Sequence, residues 1–328
     1  LGTQRFTSAT DSYNTAVGYD AGLEVTTGTQ NTLIGGLAGD AITTGNNNVA
    51  LGHEALTANT VGDRSTALGN FALKSQNPSS NADVYNVAIG HNAGGDVTTG
   101  VENTFVGGLA GDALQDADYN VAIGSSALTS DTLGSKSVAV GTGTLENQNF
   151  TSATDTFNTA LGFFAGRAVT TGIKNTFVGG LAGDATTTGF ENIAIGYDSL
   201  GTNILGSHSV AVGPSALRTQ NYGSATNAYN TAVGSFAGYA VTTGIQNTLI
   251  GARAGDALTD ADFNVAVGFQ ALTSDTLGSN STAIGREALN NQNFTTATNS
   301  HNVAVGFQSG RSVTTGVQNV LVGGLAGD

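Results

Sequence analysis

One phrase fills the chain. "NTAVGYDAG" at 14–22 returns as "NTLIGGLAG" at 31–39, and a copy follows every 17 or 21 residues to the end. Each copy closes on a glycine: Gly18, Gly35, Gly52, Gly69, Gly90, Gly107, Gly124, Gly141 and ten more. The steps between them run 17, 17, 17 and 21, so 18 coils sit inside a 72-residue super-repeat. A fixed period near 20 residues is the signature of a solenoid, in which each repeat buries its apolar face only against its neighbours.

Seventeen residues cannot hold two packed helices and their turns. Each repeat instead has one β-rich triplet, such as "VAI" or "TLI", and often a second run such as "VTT". The pattern predicts an all-β parallel β-solenoid with two short strands per coil. Eighteen coils stacked at the strand spacing would make one continuous rod over 1–328, about 85 Å long.

Each repeated position has a mechanical reading. The apolar residue before the Gly (Val17, Ile34, Leu51, Leu68) is expected in an inner column, where burial contributes about 1.5–3 kcal/mol per side chain, and the small residue two places before the Gly, Ala in most coils, suits a tight interior. The Gly is expected to supply a positive φ or a close backbone approach. The opening Asn14, Asn31, Asn48, Asn86, Asn103 and Asn120 are expected to form an amide ladder between coils, with Ser65, Ser137, Ser209 and Ser281 replacing Asn in every fourth coil. Leu56, Leu73, Leu128 and Leu145 are expected to give a further apolar surface that faces partner chains.

Composition excludes several functions. Ten Lys and Arg against 24 Asp and Glu leave a net charge of −14, without the basic footprint of a nucleic-acid binder. No apolar run approaches a membrane span. Cysteine is absent, so there is no disulfide and no thiolate metal site. The four histidines (His53, His91, His208, His301) fall at different phases of the repeat and build no triad. "GGLAGDAIT" at 35–43 nearly matches a calcium-roll nonapeptide, but it recurs only once per 72 residues. "DADYN" and "DADFN" at 116–120 and 260–264 offer D-x-D pairs, which suit either an oxygen site for calcium or solvated acidic turns. The Thr rows of "VTTG" are too interrupted to order ice. No catalytic residue, metal or cofactor is assigned, and the chain reads as non-enzymatic.

Binding is expected where residues vary on the fixed scaffold. After the consensus Gly stand Tyr19, Phe71, Phe163, Phe164, Tyr197, Phe236, Phe269 and Phe307, along with His53 and His91. The longer fourth coils add Phe6, Phe150, Tyr222 and Phe294. Such rings stack on sugar faces or anchor interfaces. "NFT" at 149–151 and 293–295 matches a glycosylation sequon.

"NVAIGHNA" (86–93), "NVAIGSSA" (120–127) and "SVAVGPSA" (209–216) resemble the head repeat of YadA-like trimeric autotransporter adhesins, and similar repeats in the shafts of trimeric phage tail fibres. The resemblance runs through all eighteen coils. It implies a left-handed parallel β-roll interwound as an obligate homotrimer. It also implies a structural fibre shaft that projects from a cell surface or virion and supports attachment to a host or substratum, with a glycan among the candidate receptors. The family coil is shorter than these 17- and 21-residue coils, and no stalk, membrane anchor or chaperone domain lies in this span. Both ends fall inside the repeat without a cap, so the chain is expected to be a segment of a longer fibre. The alternative is a self-assembling extracellular filament built by end-to-end stacking.

Overall fold

The computed structural model describes all 328 residues. They form two compact units, Leu1–Thr159 and Ala160–Asp328. Each is an all-β parallel solenoid without helix. Coils are numbered here by their consensus Gly, from Gly18 in coil 1 to Gly323 in coil 18. The first unit holds eight three-residue strands, and the second holds ten, counting Thr159–Leu161, which starts at the boundary.

Strands pair with the next coil in strict register. Thr15, Ala16 and Val17 face Thr32, Leu33 and Ile34. In the second unit Thr176, Phe177 and Val178 face Ile193, Ala194 and Ile195. The four extra residues leave the register untouched, since Thr66 still faces Val87. Three of the long coils spend the extra residues on a small parallel pairing of their own: Gly134–Ser135 with Thr154–Asp155, Gly206–Ser207 with Thr226–Asn227, and Gly278–Ser279 with Thr298–Asn299.

In the remaining coils the expected second strand is not there. At "VTT" (25–27) the amides of Thr26, Thr27 and Gly28 all converge on the Thr43 carbonyl, at 2.9, 3.2 and 3.1 Å. Three donors on one acceptor make a corner, whereas a ladder spreads its donors along the strand.

Of the two inner columns expected, the Ala column is there and the column of the residue before the Gly is not. The middle residue of each triplet points in, and Leu33, Ala50, Ala67 and Ala88 are fully buried. The residue before the Gly points out: Val17 is 59% exposed and Leu51 48%, with Ile34 and Leu68 half-exposed. Side chains alternate along a strand, so a one-residue shift inverts the whole column. The interior is too narrow for a Val, Ile or Leu in every coil, and Ala takes the inner position.

Leu56, Leu73, Leu128 and Leu145 are fully buried inside their own coils, and present nothing to a partner. They stand at left-handed φ of 57°, 48°, 55° and 50°, a conformation that costs a non-Gly residue about 1–2 kcal/mol. Burial offsets the cost. In the other two coils of each super-repeat this position is Gly; the first of them has Ala inside, and the space beside both glycines goes to the one larger inner residue of the second. The Phe105 ring is one such case: a Cβ on Gly94 would lie 2.7 Å from its Cδ2, and a Cβ on Gly111 2.5 Å from its Cδ1. Large strand residue with Gly, or Ala with Leu, are two ways of filling the same volume.

Candidate functional site

The coils carry the variable residues into columns. The first residue after the consensus Gly turns outward, and Tyr19, Phe163 and Tyr197 are 78%, 56% and 61% exposed. The second sits at left-handed φ, as at Phe71, Phe164 and Phe236. Phe269 and Phe307 are also exposed, and Phe71 and Phe164 are half-buried.

The first unit brings three rings together on successive coils. His53 meets Phe71 edge-to-face at 5.5 Å, and Phe71 meets His91 at 5.8 Å. In the second unit Phe163 packs on Phe164 at 4.0 Å. The guanidinium groups of Arg167, Arg253 and Arg286 lie over Phe164, Phe236 and Phe307 at 4.8, 5.7 and 5.6 Å.

The aromatics of the long coils are elsewhere. Phe150, Tyr222 and Phe294 are 6–7% exposed, so they are core side chains and offer no surface to a ligand. Phe6 is half-buried, and Pro78 fills the same place in the first long coil. The added loop folds back over the coil. The amides of Phe150 and Phe294 donate to the buried carboxylates of Asp131 and Asp275 at 3.0 Å, and the Tyr222 hydroxyl donates to the Gly244 carbonyl at 2.8 Å. Asn149 and Asn293 of the two "NFT" segments remain exposed.

The asparagine column works through the backbone more than from amide to amide. The Asn31 N–H donates to Asn14 Oδ1 at 2.9 Å, while Asn31 Nδ2 donates to the Gly45 carbonyl of its own coil at 2.8 Å. Asn48, Asn103 and Asn120 repeat both bonds, and Asn86 keeps the one to its own coil. In the long coils the insertion displaces the carbonyl that an Asn would grip. There the Ser is paired with a buried Gln eleven residues on. Gln76 Nε2 donates to Ser65 Oγ at 2.9 Å, and Asn86 Nδ2 donates to Gln76 Oε1 at 3.0 Å. Gln148, Gln220 and Gln292 do the same for Ser137, Ser209 and Ser281. The sequence signal was a Gln-Asn pair at fixed distance from every ladder Ser.

A second exposed aromatic column was also missed. It occupies the residue just before the ladder position, at left-handed φ: Tyr13, Tyr85, Tyr119, Phe157, Tyr229 and Phe263. In the second unit His208 stacks on Tyr229 at 4.9 Å and lies 3.2 Å from a Glu191 oxygen.

The acids are spent on joining coils. Asp116 and Asp260 accept from Thr99 and Thr243 at 2.6 Å. Asp118 and Asp262 accept from the amides of Val101 and Ile245 at 2.8 Å. Asp40, Asp112 and Asp256 each accept from a Thr one coil on, but for Asp184 that place is Gly201. Burial, with Asp198 nearby, pushes the Asp184 carboxyl above its ordinary range. In neither unit do three His, Asp or Glu side chains gather as metal ligands. No protein-family model matches the chain, and a search of the curated proteins finds no match.

Proposed function

We propose that the chain is a non-enzymatic fibre shaft that works outside the cell, on a cell surface or a virion. Three copies wind into one left-handed rod that supports attachment. The observation that carries this reading is the outer row of the sheet. The residue before the consensus Gly is Val, Ile or Leu in all eighteen coils. In the single chain this row stays open to water, with Ile89 and Ile123 at 40% and 37% in the first unit and Leu161 and Ile195 at 46% and 39% in the second. A contiguous exposed apolar row marks an interaction surface. Because it recurs at every coil, the partner with matching geometry is another copy of the same repeat.

Sedimentation equilibrium tests this. A mass three times 32.7 kDa supports the trimer. A monomer overturns it, and open-ended polymers would favour end-to-end filament assembly instead.

A further inference from the structure

The second unit carries a regularity on its sidewall. Coils 9, 11, 15 and 17 present Phe163, Tyr197, Phe269 and Phe307 at the first position after the consensus Gly, and coil 13 presents Phe236 at the second, each 40–61% exposed. The coils between them place no ring there. They have Gly180, Pro214, Ala252 and Arg286 after the Gly. Rings on every second coil are spaced by two strand separations, roughly 9.5 Å.

We propose that this column is a binding track for an uncharged, extended, β-linked polysaccharide of the cellulose or chitin type. Sugars in such chains are flat, and their two-sugar repeat is close to the two-coil step, so each ring meets an equivalent sugar face. Aromatic side chains supply that apolar face at low entropic cost.

The charges beside the rings select the class of polymer. Arg218 pairs with Asp198, Arg253 with Asp256 at 3.8 Å and Arg286 with Glu287 at 2.9 Å. Each pair offers hydrogen-bond donors and acceptors together, which suits hydroxyl groups. Pairing neutralises these guanidinium groups and so removes the net positive charge that a polyphosphate or a polyuronate would need. The track deepens the attachment reading and rests on it for the sidewall remaining free of partner chains. It lies beyond the consensus Gly, off the apolar row assigned to self-association.

The full chain is tested by co-sedimentation with microcrystalline cellulose and powdered chitin, and by affinity electrophoresis in hydroxyethylcellulose. Alginate serves as the acidic control. Retention on one of the two solids is expected. Tyr197→Ala and Phe236→Ala remove exposed rings without touching the core, and each is expected to weaken binding about tenfold.

A register variant, Tyr197→Ala with Gly180→Tyr, keeps five rings but moves one to the intermediate coil. A Cβ on Gly180 meets nothing closer than Tyr197 Cδ2 at 3.7 Å, so the new side chain fits. Its binding is expected to stay weak. The proposal is overturned by no retention on either solid, by binding to alginate alone, by undiminished binding of the single variants, or by full recovery in the register variant. Circular dichroism verifies the fold, and sedimentation of the same samples reports the trimer separately. Loss of one result with survival of the other therefore tells the two ideas apart.

Discussion

Gly35 shows how tightly single residues are held. Its φ is 138°, and all the consensus glycines lie between 128° and 143°. A Cβ here would stand 2.7 Å from the Gly52 carbonyl carbon of the next coil. Gly35→Ala is expected to cost about 3 kcal/mol or more, since backbone strain and a backbone clash add. Urea unfolding measures it. Gln76→Ala is expected to cost about 2–4 kcal/mol, by leaving a cavity and stripping a partner from both Ser65 and Asn86. Asp184 tests the electrostatics. Its folded carboxyl holds a proton more strongly than the unfolded one, so its contribution to stability falls as pH climbs from 3.8 through the raised value. Asp184→Asn is expected to raise the melting temperature at pH 7 and to flatten that slope, as read by thermal scans across pH.

Packing is shared between neighbouring coils: in each super-repeat one coil carries Ala with Gly, the next a large inner residue with Gly, and the last two Ala with Leu. Phe177 fills coil 10 with Gly183 beside it, while Ala194 and Leu200 fill coil 11. A Cβ on Gly183 would lie 2.5 Å from Phe177 Cε1. Phe177→Ala is expected to cost about 3–5 kcal/mol, and Gly183→Leu to be disruptive alone. The double variant reproduces the neighbouring coil's arrangement, so a double-mutant cycle is expected to show a favourable coupling above about 1 kcal/mol. Additive losses in unfolding experiments would contradict the shared-volume account. The same complementarity explains why the Leu residues, legible in sequence as apolar, were misplaced. Their spacing looks like a surface row until the Gly opposite each large inner residue is recognised as part of the same filling rule.

At the scale of the whole chain, charge and apolar surface are distributed unevenly. The first unit has four Lys and Arg against fifteen Asp and Glu, and the second six against nine. The aromatic and guanidinium contacts of the sidewall gather in the second unit, where the net charge is less negative. Each unit carries an apolar outer row of its own. Ile195 is 39% exposed in a single chain, so Ile195→Asp is expected to leave the coil folded while placing three carboxylates at the proposed trimer contact. Sedimentation is expected to show dissociation with unchanged far-ultraviolet circular dichroism. A trimer that persists would move the contact to another face.

The sequence alone determined the solenoid, its parallel register and the glycine corners, because a strict period forces equivalent residues into equivalent places. It determined the variable sidewall positions for the same reason. Tertiary structure decided which face of each triplet is inside. Three-residue strands allow two phases, and hydrophobicity favoured Val17 and Leu51 inward, but the narrow interior admits mainly Ala. Packing also decided that Phe150, Tyr222 and Phe294 are core. Finally, it decided that Asn31 bonds the backbone more than its own copy, since a side-chain amide takes the partners that the closed coil brings within reach.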